Sequence, residues 1–301
     1  MKTIIYHDDN DGRLAAAIVL KKLKLETDPL SVMFVPATYD KAQAIVDACE
    51  SSIDVVGGTD EVIIVDFSLP LGLFTELARK VPYVVWIDHH KSSIEALAGS
   101  AIEALPGKRD TSRAACLLAW EYCFPDKEVP LVVQLVADRD AWIWELGKQT
   151  AEFHYGLSMQ QTEPQAGIWR RLLSPGGYAA AHTIQSDGRI VMKALEQRFK
   201  EIRETVAFDT MIDGHTARAM NIAIAGSAAF GAEDWATGAL PDDVEICCQY
   251  YHSGAVFTVS LYSPKGGVDV SELCKKRGGG GHANAAGFTS VELPDFLRVV
   301  R

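Results

Sequence analysis

Apolar positions in the first half of the chain fall into two alternating kinds of run. Short, mostly apolar stretches at Thr3 to Tyr6, Ser31 to Pro36, Glu61 to Phe67 and Tyr83 to Ile87 predict strands. Between them, Leu14 to Leu23, Lys41 to Cys49 and Leu71 to Lys80 carry apolar residues at helical spacing, which continues in Ser112 to Cys123 and Leu131 to Ala137. Strand and helix in alternation imply an α/β lobe over residues 1–150, a parallel sheet with helices on both faces. Residues 150–182 are polar and broken by Pro164, Pro175, Gly176 and Gly177, so a connecting region with short helices is expected there. Val191, Leu195, Phe199, Ile202 and Val206 then mark a long amphipathic helix, completing a helical linker over 151–213. Beyond Gly214 the pattern returns to strands at Ala219 to Ala225, Val244 to Tyr251 and Val256 to Tyr262. A helix near Val270 to Lys276 and a glycine run follow. A smaller C-terminal α/β lobe over 214–301 is therefore predicted.

Composition narrows the class. With 301 residues, 48% hydrophobic and 23% charged, the chain is long enough for about two folded domains and is not a disordered polymer. Its apolar runs stop far short of the roughly 18 to 20 residues that cross a bilayer, and no leader pattern follows Met1, so a cytoplasmic, non-membrane protein is expected. Six cysteines without a Cys-x-x-Cys pair read as buried free thiols. Twenty-nine basic residues against 40 acidic ones leave a net charge of −11, which opposes binding a long polyanion through a generic basic surface. Any nucleic-acid partner is expected to be short.

Chemistry concentrates where the predicted strands end. The first runs into His7, Asp8, Asp9, Asn10, Asp11 and Gly12, the third into Asp66, and the fourth into Asp88, His89 and His90; Asp138, Arg139 and Asp140 follow the Leu131 to Ala137 run. The carboxyl ends of parallel strands are where open α/β sheets bind ligands. So many carboxylates in one low-dielectric cleft repel unless cations are present. Oxygen-rich ligation with some imidazole suits Mn(II) or a similar divalent ion, two such ions fit phosphoryl displacement, and Asp66 could bridge them. Asp8 and Asp140 read as solvated loop charges beside the candidate ligands. His154, His182, His215 and His252 lie outside any motif.

These residues resemble the DHH family of phosphoesterases, whose name-giving motif stands here as Asp88-His89-His90. The family's other motifs resemble His7-x-Asp9-x-Asp11-Gly12, Asp66 and Asp138. Its associated C-terminal domain resembles Gly278-Gly279-Gly280-Gly281-His282 continuing to Ala285-Ala286-Gly287. The resemblance implies that His7 and Asp9 ligate one Mn(II), Asp11 and His89 the other, and Asp66 and Asp138 both, with Mg(II) or Co(II) as substitutes. His90 would face the substrate phosphate and Asp88 would orient a histidine. Gly279, Gly280, Gly281, His282 and Arg277 would clamp a phosphate or nucleotide. His7 stands two positions before Asp9, as in a subgroup that degrades very short RNA, whereas many members have a spacing of four. Tyr262 stands where relatives commonly carry arginine; it reads as a base-stacking residue or as an ordinary strand aromatic, with Lys265, Lys108 or Arg109 as replacement charges.

The expected activity is hydrolysis of short oligonucleotides to 5′-mononucleotides by two-metal catalysis. Cyclic dinucleotides, phosphoadenosine phosphate and pyrophosphate are alternatives within the class. An inactive nucleotide-binding regulator is the alternative from a different class, and a single-strand exonuclease of RecJ type is a third candidate. A homodimer is compatible with all of these.

Overall fold

A computed structural model describes residues 2–23, 32–38, 41–53, 60–223, 243–263 and 266–298. They divide into two compact units, Met1–Ile143 with Gly156–Ser186, and Trp144–Tyr155 with Asp187–Arg301.

In the first unit, strands β1 (Lys2–His7), β2 (Val32–Ala37), β3 (Glu61–Val65) and β4 (Tyr83–Ile87) form a wholly parallel sheet in the order β2-β1-β3-β4. The predicted strands are confirmed, and Thr3 to Tyr6 and Val62 to Val65 are buried without alternation, as strands covered on both faces must be. Helices α1 (Asn10–Leu23), α2 (Ala42–Ile53) and α3 (Leu71–Lys80) connect them. On one face Ile5, Ile64 and Trp86 meet Ile45 and Val46 of α2 and Phe74 and Leu77 of α3. The other face takes α1, which packs on β1, and, beyond α4 (Lys91–Leu97), the helix α5 (Ala115–Cys123), which packs on α1 and β4. The chain leaves β1 for β2 and returns past β1 to β3, so the winding direction reverses between β1 and β3. Their carboxyl ends flank that switch point, where the sheet opens a crevice.

Helix α6 (Leu131–Asp140) extends three residues beyond the predicted Leu131 to Ala137. The stretch expected to be irregular contains α7 (Lys148–Leu157), α8 (Gly167–Leu172) and the start of α9 (Gly177–Val206), a continuous helix of 30 residues. Tertiary burial of Phe153, Leu157, Trp169, Leu172 and Ile184 stabilises these turns. Their short periods, interrupted by proline and glycine, give little signal in sequence.

The second unit carries a mixed sheet in the order β5-β6-β7-β8-β10-β9, from β5 (Phe208–Ile212), β6 (His215–Asn221), β7 (Ile246–His252), β8 (Phe257–Tyr262), β9 (Gly280–His282) and β10 (Ala285–Ser290). Among the described residues of this sheet only β6 and β7 pair in parallel. The sequence reading missed β5 and began β6 four residues late; the last two residues of its predicted strand, Ile224 and Ala225, lie outside the described residues. Helix α10 (Val270–Lys275) packs Val270, Leu273 and Cys274 on the sheet against Cys248, Val259, Leu261 and Ala286. The Asp269 side chain caps it, accepting from Ser271 and Glu272 amides. Cys116, Cys123, Cys247, Cys248 and Cys274 are buried free thiols. Among the described residues no helix is long and apolar enough to cross a membrane.

Candidate metal centre

Three strand ends and two helix N-termini assemble the site. Asp9 precedes α1: its Oδ1 accepts the Gly12 amide at 3.0 Å, and its Oδ2 lies 2.8 Å from His7 Nδ1. Gly12 is required at this turn, since a Cβ there would meet the His7 carbonyl oxygen at 2.2 Å. Asp11 is held differently. Both its oxygens accept amides at the start of α5, from Ala115 at 2.7 Å and Cys116 at 2.9 Å, so a helix N-terminus 104 residues away orients this carboxylate. Asp66 follows β3 in the left-handed region, at φ 56°, and donates its amide to the Ile87 carbonyl. A non-glycine residue in that conformation stores strain, which concentrates at functional sites.

Asp66 is the hub. It is 1% exposed, and neither carboxylate oxygen has a hydrogen-bond partner among the described residues. Imidazole nitrogens surround it without proper donor geometry: His89 Nε2 at 3.1 Å, His7 Nδ1 at 3.6 Å and His90 Nδ1 at 3.8 Å. Two clusters therefore share it. His7, Asp66 and His90 form one, Asp11, Asp66 and His89 the other, each with ligand atoms within 4.8 Å of one another.

A buried chain of hydrogen bonds fixes His90. The Trp86 indole Nε1 donates to Ser68 Oγ at 3.0 Å, Ser68 Oγ donates to Asp88 Oδ2, and Asp88 Oδ1 accepts from the amides of His89 and His90 and from His90 Nδ1 at 2.8 Å. An indole only donates, so the hydroxyl proton must point to Asp88 and His90 Nδ1 must carry a proton. Trp86 itself is pinned by Arg109, whose guanidinium lies 5.0 Å from its ring and donates to its carbonyl. Arg109 is thus built into the fold, and Lys108 pairs with Glu121.

Of the acids after α6's apolar run, Asp138 is buried, and neither it nor Asp140 is part of the two clusters. Asp140, read from sequence as a solvated loop charge, places a buried Oδ2 3.5 Å from His89 Nε2, with no hydrogen-bond partner among the described residues. Because α6 continues through Asp140, the two acids lie about 160° apart around its axis, on opposite sides of the helix, and Asp140 is the one beside His89.

The electrostatics are those of a site whose crowded carboxylates favour bound positive charge. Burial and then the Asp140 and Asp66 charges push the Asp11 carboxyl well above its usual range; burial and then Asp9 do the same to Asp66. Burial works against the His7 imidazolium, but Asp66 and Asp9 outweigh it and raise the pKa to about 11. Asp9, despite burial, is drawn down to about 2 by His7. Burial opposes protonation of His89 and His90 too, yet Asp140 and Asp11, and Asp88 respectively, raise both. The Cys116 thiol is pushed far up by burial and the nearby acids, so no thiolate is offered. Orphaned carboxylate oxygens beside imidazoles fit a hard-to-borderline divalent ion.

In the second unit, Gly278 takes φ 77° and ends α10, with the Gly279 amide reaching back to the Cys274 carbonyl. His282 closes β9. Arg277 is committed within the unit: it pairs with Asp213, donates to the Leu273 carbonyl and packs by Phe288 and Phe296. Tyr262 is 7% exposed at the end of β8. Lys265 lies outside the described residues.

No protein-family profile matches the chain. The DHH domain of a member of a family of ribosomal proteins superposes with a TM-score of 0.58 at 14% identity, covering 95% of this chain and 82% of that one. The fold is that of a DHH domain. A pGpG-specific phosphodiesterase from Vibrio cholerae gives a TM-score of 0.47 at 14% identity over 97% and 94% of the two chains. The manganese-bound exonuclease RecJ gives 0.49 at 12% identity over 95% and 85%. In sequence, an uncharacterized Acanthamoeba polyphaga mimivirus protein is 28% identical over 130 residues, 40% of this chain and 28% of the viral protein's length.

Proposed function

We propose that the chain is a metal-dependent phosphodiesterase of the DHH family acting on short nucleotidic substrates, foremost oligoribonucleotides of a few residues, from which it releases 5′-mononucleotides. The observation that carries this reading is Asp66: one buried carboxylate without hydrogen-bond partners, shared by two imidazole-carboxylate clusters at the switch point of a DHH-type sheet.

His7, Asp66 and His90 would hold one divalent ion, and Asp11, Asp66 and His89 the other, with Asp9 and Asp140 alongside; Mn(II) suits the donor set. When bound, the pair supplies a nucleophilic hydroxide and charge stabilisation for in-line displacement at phosphorus. The protein's own work is positioning. Asp11 is fixed by the α5 amides, and His90 by Asp88, Ser68 and Trp86. His90 Nε2, opposite the nitrogen tied to Asp88, serves the metal or a phosphate oxygen. In the second unit, His282 and Gly280 would contact a phosphate or nucleotide.

The test is a panel of substrates incubated with Mn(II)-loaded protein: oligoribonucleotides of two to thirty residues, cyclic dinucleotides, phosphoadenosine phosphate and pyrophosphate. Dinucleotides should be cleaved fastest, with Asp66→Asn losing both bound metal and nearly all turnover while keeping its circular dichroism spectrum. Turnover of pyrophosphate alone, or full activity in Asp66→Asn, would refute the proposal.

A further inference from the structure

Directly paired residues in a sheet project from the same face, and so do residues two apart along one strand. The register of the second sheet therefore places Gln249, Ser260, Gly287 and Gly280 in one row across β7, β8, β10 and β9. A neighbouring row on that face holds Tyr262, Ala285 and His282. The opposite face carries Cys248, Leu261 and Ala286, the core under α10. Residues far apart in sequence, including the tyrosine and histidine singled out there, thus share one face.

Exposure falls along this face. Gly280, Gly287 and Ser260 are half-buried, whereas Gln249, at the far end, is 3% exposed. Its Nε2 is shielded from solvent with no hydrogen-bond partner among the described residues. A buried amide donor left unpaired lowers stability, and an apolar side chain of the same shape would remove that cost. No described residue uses this donor. The row leading to it is small: a Cβ added to Gly280 would meet nothing within 4 Å. Tyr262 is the diagonal neighbour of Gln249, since Cys247 pairs with Tyr262 and Gln249 with Ser260. Such neighbours lie about 7–8 Å apart, within reach of one aromatic ring system.

We propose that this face is a nucleobase slot, and that Gln249 reads the base at its closed end by donating Nε2–H to a carbonyl or ring-nitrogen acceptor. Small residues leave height for a flat ring, the Tyr262 ring lies beside it, and Gln249 completes an otherwise missing hydrogen bond. Unstacked bases are recognised by this pairing of aromatic contact and edge hydrogen bonds. The inference rests on the nucleotidic reading of the site, but concerns what selects the substrate, not what cleaves it.

Gln249→Met keeps the shape and deletes the donor. The expected results are a melting temperature equal to or above wild type, kcat/KM for a ribodinucleotide down about tenfold, and unchanged kcat/KM for bis(p-nitrophenyl) phosphate. Thermal protection by the dinucleotide and by its abasic analogue, in the presence of Mn(II), gives a readout that needs no turnover. Wild type should be protected more by the base-bearing ligand, and Gln249→Met should lose that difference. A melting temperature several degrees lower with equal losses on both diesters would make Gln249 a structural residue and overturn the slot; so would unchanged dinucleotide kinetics and protection. Failure of wild type to cleave any diester, with base-dependent protection intact, would overturn the proposed activity and leave the slot standing.

Discussion

Single atoms decide what several residues in this chain are for. Ser68 lies outside every sequence motif, yet its hydroxyl is the link between Trp86 and Asp88. Ser68→Ala should leave the fold intact, since a hydrogen bond to a charged group contributes about 1.5–3 kcal/mol, but should free Asp88 to rotate. The expected outcome is a several-fold fall in kcat with little change in KM, loss of a sharp downfield His90 Nδ1–H resonance, and recovery of both in Ser68→Thr. An unaltered resonance and unaltered kcat would show that Asp88 needs no second anchor. The glycine run divides on the same scale. A Cβ on Gly279 would meet the Gly287 carbonyl at 2.1 Å and one on Gly281 the Ala285 carbonyl at 2.7 Å, while Gly280 has open space. Gly279→Ala should therefore lower the melting temperature, whereas Gly280→Ala should leave it unchanged and raise KM for a dinucleotide. If both variants merely unfold, the space at Gly280 serves no ligand.

At the scale of elements, three strand ends and the α5 N-terminus press like charges together, and the metal-free protein offsets this with protons. Asp11 and Asp66 have folded pKa values raised above their ordinary range, as do His7, at about 11, and His89 and His90. Each of these groups binds a proton more tightly folded than unfolded, so each contributes stability at low pH that is lost as pH rises through its folded value. Asp9, at about 2, and Asp88 are depressed and oppose this only below about pH 4, where their unfolded forms titrate. The melting temperature of chelator-treated protein should accordingly fall between pH 6 and pH 9. Added Mn(II) should displace the protons, raise the melting temperature and remove the decline. A metal-free melting temperature that climbs over this range would contradict the charge arrangement.

For the whole molecule, the net charge of −11 bears on the length of substrate that the proposed activity could take. Few phosphates can be neutralised by an acidic surface, and counterion release scales with the number that are. Rates should fall steeply beyond about five nucleotides and change little with salt. Comparing a dinucleotide with a 24-mer at two ionic strengths decides this; faster cleavage of the 24-mer with a steep salt slope would favour a processive nuclease.

The parallel sheet was legible in the sequence, because strands buried on both faces must be continuous apolar runs, and so was most of the candidate site, because ionisable residues collected at strand ends have few structural uses. His7, Asp9, Asp11, Asp66, His89 and His90 are legible for that reason. Tertiary structure alone decided the rest. Asp140 faces His89 only because α6 continues through it, Ser68 matters only because β3 and β4 lie side by side, and Gln249 meets the glycine row only through the register of four strands. Arg277, expected to help clamp a phosphate, is engaged by Asp213, 64 residues earlier in the chain. Period and charge are local properties that a chain displays in order. Pairing across strands and the last turn of a helix are set by packing, which depends on residues that sequence order keeps apart.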